Sequence, residues 1–166
     1  MYSTVLYALQ RQGVIRSYNN PVGDVAEWMV SKHLKLTLMP PSWKHFDATD
    51  ASGGRYQIKA RRLWGKNRSS QFTVRGIEAT PFDYLACVIF EGDFFVRRAA
   101  VVPMELLRLI CKPTNDPNVQ RFNFSRDVIT LPGVFDISVL LSTLPLTESE
   151  ERLVARLRAV RLPQSK

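Results

Sequence analysis

The sequence predicts a mixed α/β fold, either α+β or a mixed-sheet α/β/α sandwich with a central mixed sheet. Helical spacing of apolar residues dominates the first 33 residues, strand-like segments follow to residue 102, and a helical pattern returns at residue 103. The continuous apolar run Tyr84–Phe90 has the length of a strand buried in the middle of a sheet. A chain of 166 residues fits one domain, spanning residues 1–166, with a core of its own.

Two helices are predicted before the strands. Apolar spacing predicts the first over Ser3–Val14. Asn20 is a favourable helix cap and Pro21 is tolerated in a first turn, so the second helix is predicted over Pro21–His33. The proline pair in Met39–Ser42 then breaks the helical pattern.

The middle of the chain predicts two hairpins. Strand-like segments Trp43–Asp50 and Arg55–Leu63 flank a Ser-Gly-Gly turn at residues 52–54. The buried strand Tyr84–Phe90 leads through a Glu-Gly-Asp turn into Phe94–Val102. Between the hairpins, Gln71–Val74 is predicted as a short strand.

The last third contains two predicted helices and one ambiguous segment. Pro103–Cys111 is predicted as a helix entered through its proline. Asp136–Leu144 fits either a short helix or a strand. Thr147–Val160 carries a capping box and predicts a terminal helix. The narrow apolar stripe of that helix, a candidate interface for a homodimer, consists of Leu153, Leu157 and Val160.

Charge is the most informative part of the composition. The chain has 23 Lys and Arg against 15 Asp and Glu, a net charge of +8, which favours a polyanionic partner. Residues 53–75 hold seven basic residues and no acid, whereas residues 76–96 hold four acids and no base. One face or edge is therefore expected to be positive.

Other classes of protein are disfavoured. No apolar run approaches the length of a membrane span, and the first ten residues lack the charged start of a secretory signal, so we expect a cytoplasmic protein without membrane attachment. The two cysteines form no metal-binding cluster, and Cys87, inside an apolar strand, is interpreted as a core residue.

The candidate site lies around the first hairpin. Because side chains alternate along a strand, Gln57 and Lys59 share one face. A three-residue loop at 52–54, with Gly54 left-handed, would pair Asp47 with Lys59 and place Asp47 on that face, whereas a two-residue loop would place it on the other.

This set of residues has a chemical rationale. Mg²⁺ takes oxygen ligands from carboxylates, amides and backbone carbonyls, which Asp47, Gln57 and the Ile58 carbonyl could supply. Lys59 could contact a scissile phosphate and position a water molecule. The alternative is an ordinary hairpin turn with a solvated aspartate and a surface lysine, because the D…QxK pattern is short.

Asp47 followed by Gln57-Ile58-Lys59, after a helix bearing Glu27, resembles the PD-(D/E)XK nuclease superfamily over residues 20–111. The resemblance implies a restriction-endonuclease-like α/β/α sandwich, with residues 112–166 as a C-terminal extension. It also implies that Asp47 and Glu27 bind Mg²⁺, with Mn²⁺ as an alternative, and that Lys59 is the motif lysine. The sequence departs from the family at Gln57, where Glu or Asp is usual, in the manner of Mrr-like enzymes.

The resemblance implies a Mg²⁺-dependent endonuclease acting on DNA, with double-stranded DNA as the expected partner and a homodimer as the expected assembly. The basic segment fits phosphate contacts with an aromatic residue able to stack. The predicted nucleic-acid-binding residues are Arg55, Arg61, Arg62, Trp64, Lys66 and Arg68. The alternatives are a DNA-binding or complex-assembly subunit that keeps the fold without catalysis, and an unrelated α+β protein in which the pattern is accidental.

Overall fold

The computed structural model describes residues 2–17, 20–41, 43–66, 68–79 and 81–143. The predicted terminal helix Thr147–Val160, with its apolar stripe, lies outside these residues. In the described part of the chain, no helix is long and apolar enough to cross a membrane.

A mixed six-stranded sheet forms the centre of the molecule, which confirms the predicted fold class. Its strands, in spatial order, are β1 (Thr37–Leu38), β2 (Ala48–Thr49), β3 (Arg55–Arg62), β5 (Tyr84–Phe90), β6 (Val96–Pro103) and β9 (Phe135–Asp136). The central pair, β3 and β5, is parallel, and the other neighbours are antiparallel. A smaller antiparallel sheet contains β4 (Gln71–Arg75), β8 (Val119–Asn123) and β7 (Lys112–Pro113), in that order.

Two layers cover the central sheet. The helices are α1 (Tyr2–Arg11), α2 (Pro21–Leu34), α3 (Met104–Ile110), α4 (Arg126–Ile129) and α5 (Ser138–Leu141). On one face, α2 and α5 bury Val30 and Leu141 against Ile58 and Val88. On the other face, the small sheet and α3 cover the central strands, so this outer layer is built of strands as well as a helix.

Helix α2 follows the local signals in its sequence. The Asn20 side chain accepts a hydrogen bond of 3.2 Å from the Val22 amide, and Pro21 occupies the first turn. The helix ends at Leu34, and Lys35 adopts a left-handed conformation with φ +56°. The predicted start is confirmed, and α2 presents Glu27 from its middle.

The predicted pairing of the first hairpin is wrong by two residues. Ala48 lies opposite Tyr56, and the Asp50 amide donates to the Gly54 carbonyl (3.0 Å), so the loop comprises residues 51–53. Its left-handed residue is Gly53, with φ +88°, rather than Gly54. A shift of two residues preserves the face on which each side chain lies, so Asp47 still reaches β3 from the side of Gln57.

Several element boundaries also differ from the predictions. The strand predicted over Trp43–Asp50 contracts to Ala48–Thr49, and the first helix ends at Arg11 rather than Val14. The ambiguous segment Asp136–Leu144 contains the end of β9 and then α5.

Candidate active site

The carboxylate of Asp47 is held against β3 by two donors. Its Oδ2 atom accepts a hydrogen bond from the Ile58 amide at 2.6 Å and another from Nε2 of Gln57. The Asp47 amide donates to the Tyr56 carbonyl at 2.8 Å, at the point where the pairing of β2 with β3 ends. The hairpin therefore fixes both the backbone and the side chain of Asp47.

Glu27 reaches the same place from α2. It lines a pocket of about 200 Å³ together with Asp47, and two residues missed by the sequence analysis, Arg16 and Asp24, also line it. Trp43 and Phe46 provide an aromatic part of the wall. The fold thus brings two of the predicted site residues, 20 positions apart in sequence, into one pocket.

Arg16 pairs directly with Glu27. Its Nη2 contacts Oε2 of Glu27, and its Nη1 donates to the Met39 carbonyl at 2.7 Å. The side chains of Arg16 and Glu27 are 27% and 16% exposed, so water screens this pair only partly. One carboxylate of the pocket is therefore paired with a guanidinium group of the protein itself.

Burial raises the pKa of both Asp47 and Glu27. For Asp47, the main cause is loss of water contact, opposed by the Ile58 hydrogen bond and by the charges of Lys59 and Arg16. For Glu27, burial is again the main cause, the charge of Asp47 raises the pKa further, and Arg16 opposes both. The two carboxyl groups are thus close enough to interact and are poorly solvated.

Lys59 lies on the same face of β3 as Gln57 and Arg61, as expected from the alternation of side chains. Ile58, on the other face, is buried against α2. The partner of Lys59 in β5 is Cys87, which is fully buried, and burial raises the pKa of its thiol strongly. Cys87 is therefore the core residue that its apolar strand predicted.

The oxygen donors around Asp47 suit a hard divalent ion. Of the three carboxylates that line the pocket, Asp24 accepts hydrogen bonds from Arg16 and Ser17, so Asp47 and Glu27 are the candidate ligands. Gln57 uses Nε2 on Asp47, which leaves Oε1 as its ligand atom. The Ile58 amide points to Asp47, and in a strand the carbonyl of the same residue points to the same side. No group of three or more His, Cys, Asp or Glu side chains suited to a metal occurs among the described residues, so the fit depends on neutral oxygens as well.

The basic segment is partly neutralised by the acidic segment that follows it. The side chain of Arg55 forms a two-pronged ion pair with Asp83, at 2.9 and 3.0 Å, and is thereby held at the start of β3. Arg68 pairs with Glu91 at 3.4 Å. Because β3 and β5 run parallel, these acids come to lie beside bases that are distant in sequence.

The other predicted nucleic-acid-binding residues of this segment lie in different surroundings. Arg61 lies on the Lys59 face and reaches the Ser69 carbonyl at 3.4 Å. Arg62, on the opposite face, stacks its guanidinium over the rings of Trp64 and Phe94, each at 4.9 Å. Trp64 is 64% exposed, and Lys66 is exposed.

Asp50 is a turn residue, as its position between the strands indicates. Its Oδ1 atom accepts hydrogen bonds from the amides of Ser52 (2.8 Å) and Gly54 (2.9 Å). It therefore shapes the loop of the hairpin.

No known protein family matches the sequence, and no curated protein matches it either. Among solved structures, the chain is similar to a bacterial homing endonuclease, with 11% sequence identity and a TM-score of 0.40. That similarity covers 88% of this chain and 99% of the other. The functional proposal therefore depends on the residues of the pocket.

Proposed function

We propose that this protein is a Mg²⁺-dependent endonuclease that hydrolyses phosphodiester bonds of DNA. The observation that supports it best is the fixed Asp47 carboxylate, bound by Gln57 and Ile58 and facing Glu27 in one pocket. Lys59 does not line the pocket, but it shares a face of β3 with Gln57, and its charge lowers the pKa of Asp47. Acids that bind a metal beside a lysine that binds phosphate are what phosphodiester hydrolysis requires.

Mg²⁺, or Mn²⁺ in its place, would be held by the carboxylates of Asp47 and Glu27, the amide oxygen of Gln57 and the carbonyl of Ile58. The bound metal would supply Lewis-acid stabilisation of the negative charge that develops on the phosphate and would make the attacking water more acidic. The side chains of the protein position the reacting groups. The hydrogen bonds from β3 keep Asp47 in place, and Lys59 holds a phosphate oxygen and orients the attacking water.

The partner proposed is double-stranded DNA. Arg61 extends the face of Lys59 along β3, and exposed Lys66 and Trp64 follow immediately. Cations in this arrangement bind the phosphate backbone without reading its sequence. Cleavage of both strands at one place requires two pockets, so we expect a homodimer for that activity.

A second candidate function is a DNA-binding or assembly subunit without catalysis. The ion pair between Arg16 and Glu27 favours it, because a carboxylate already bound to a cation is a poorer metal ligand. The neutral Gln57 favours it for the same electrostatic reason.

Plasmid cleavage separates these candidates. Supercoiled plasmid is incubated with the protein in Mg²⁺, in Mn²⁺ and in EDTA, beside Asp47→Asn and, as a matched control, Asp127→Asn on the exposed surface. We expect metal-dependent cutting that is lost in Asp47→Asn and unchanged in Asp127→Asn. Cutting that is equal in Asp47→Asn, or absent throughout while plasmid binding persists, would support the subunit instead.

A further inference from the structure

Arg16 is anchored in the candidate site at three points. Its backbone amide donates to the Asp24 carboxylate at 2.9 Å, its Nη1 donates to the Met39 carbonyl at 2.7 Å, and its Nη2 contacts Glu27. The Ser17 amide and hydroxyl also donate to Asp24, at 2.8 and 2.9 Å. These hydrogen bonds fix Arg16 and Ser17 relative to α2, and Arg16 lines the pocket.

The Arg16 guanidinium and a divalent ion would use the same ligand. Arg16 contacts Oε2 of Glu27, one of the two carboxylate oxygens of a residue that lines the pocket with Asp47. A cation on that oxygen and a metal ion close by repel each other at short range in a poorly solvated site. The contact with Arg16 therefore weakens metal binding through Glu27, and release of Arg16 strengthens it.

DNA offers Arg16 a replacement partner. A guanidinium binds a phosphate with the same two-pronged geometry that it uses on a carboxylate. The side chain is partly exposed, at 27%, so a phosphate arriving at the pocket can reach it. The contact with Glu27 can then be exchanged for one with DNA.

We propose that Arg16 is a resident cation that occupies Glu27 in the free protein and transfers to a DNA phosphate on binding, so that the metal site becomes complete only with DNA present. This positioning role rests on the proposed endonuclease function. It prevents the free protein from holding a fully charged metal centre and couples the ion to its substrate.

The test measures Mn²⁺ binding by the decrease in the electron paramagnetic resonance signal of free Mn²⁺, first without DNA. Arg16→Gln removes the charge but keeps a polar side chain, and Arg11→Gln on α1 is the matched control. We expect Arg16→Gln to bind Mn²⁺ about tenfold more tightly than wild type and Arg11→Gln to match wild type. A purely structural Arg16 would give the opposite direction, because its loss would disorder the site and weaken binding.

A second comparison keeps the proposal testable if Arg16→Gln folds poorly. Arg16→Lys keeps the charge but replaces the two-nitrogen fork with a single nitrogen on a shorter side chain, so its contact with Glu27 is weaker and we expect tighter Mn²⁺ binding than in wild type. Adding a short duplex should tighten Mn²⁺ binding in wild type by a larger factor than in Arg16→Lys. Equal Mn²⁺ affinity without DNA in wild type and Arg16→Lys, together with an equal effect of the duplex, would overturn the role of Arg16.

Failure of this proposal differs from failure of the proposed function. If all variants bind Mn²⁺ equally and wild type cuts DNA, only the role of Arg16 is wrong. If none binds Mn²⁺ at millimolar concentration, with or without DNA, both are wrong.

Discussion

Gln57 stabilises Asp47 in a way that a carboxylate at the same position could not. Its Nε2 donates to Oδ2 of Asp47, whereas glutamate would offer only acceptors and a second negative charge. The metal-free protein therefore has a half-buried carboxylate whose hydrogen bonds are satisfied, and the metal site has one negative charge less. Gln57 therefore increases the stability of the metal-free protein and lowers the affinity of the site for a metal ion.

Gln57→Glu should lower the stability of the metal-free protein and raise the affinity of the site for a metal ion. We expect the variant to lose about 1–3 kcal/mol of unfolding free energy without metal, because a buried hydrogen bond is replaced by repulsion between carboxylates. Mg²⁺ should restore more stability to it than to wild type, since the added charge becomes a ligand. Thermal unfolding with and without Mg²⁺ measures both effects, with Gln71→Glu on exposed β4 as control. An identical Mg²⁺-induced shift in Gln57→Glu and wild type would contradict this account.

The raised pKa values of Asp47 and Glu27 predict a pH dependence of stability. Both rise above their ordinary values of 3.8 and 4.5, so through the range just above those values the folded protein binds more protons than the unfolded chain. These two groups therefore make the unfolding free energy fall as pH rises through that range. Asp47→Asn removes one of them, so its stability relative to wild type should increase with pH.

Urea unfolding from about pH 4 to pH 8 measures this difference. A pH-independent difference for Asp47→Asn would show that burial does not control this carboxyl group.

No pattern in the sequence predicted Arg16 as a residue of the site. Arg16 is 11 residues from Glu27, and no repeating sequence pattern links the two residues. Asp47, Gln57 and Lys59 could be grouped beforehand because alternation along a strand is a local rule, which still applied when the register was wrong by two residues. Glu27 could be named only from the family resemblance.

For the helices and strands, the boundaries of a buried element were easier to predict from the sequence than those of an exposed segment. The strand Tyr84–Phe90 was predicted with its observed boundaries because a continuous apolar run of this length, ended by acidic residues, is typical of a strand buried in a sheet. The segment from Trp43 to Asp47 was predicted as strand but is irregular, because exposed Trp43, Lys44 and His45 have no partner strand to pair with. Strand β8 was not predicted, since its pairing with β4 depends on residues almost 50 positions away.

The loop of the first hairpin gives a test of element geometry. Gly53 has φ +88°, so Gly53→Ala should destabilise the protein by about 1 kcal/mol or more and displace Asp47 relative to β3. Gly23 lies in α2 with open space around its missing Cβ, so Gly23→Ala should stabilise by about 0.5–1 kcal/mol. Chemical denaturation measures both changes. Equal effects of the two substitutions would contradict the hairpin geometry described above.

At the scale of the whole molecule, the net charge of +8 is distributed unevenly. Arg55 and Arg68 form ion pairs with Asp83 and Glu91, while Lys59 and Arg61 share one face of β3. DNA binding should therefore depend more on Arg61 than composition alone would indicate.

Arg61→Ala should weaken duplex binding at every DNA sequence and reduce the slope of log K against log salt by about 0.9, the value for one phosphate contact. Arg121→Ala, an exposed arginine on β8, is the control and should leave the slope unchanged. Fluorescence anisotropy across a salt series gives both slopes. An unchanged slope for Arg61→Ala would place the DNA elsewhere on the molecule.

The proposed site combines Asp47 with Lys59, and a substitution of Lys59 allows DNA binding to be separated from the chemistry of cleavage. Single-turnover cleavage and duplex affinity are measured on the same samples of wild type, Lys59→Met and the exposed control Lys112→Met. We predict that Lys59→Met loses at least about a hundredfold in cleavage rate while its affinity falls only by the share of one phosphate contact, and that Lys112→Met matches wild type. Cleavage by Lys59→Met at the wild-type rate would contradict a role of Lys59 in cutting DNA.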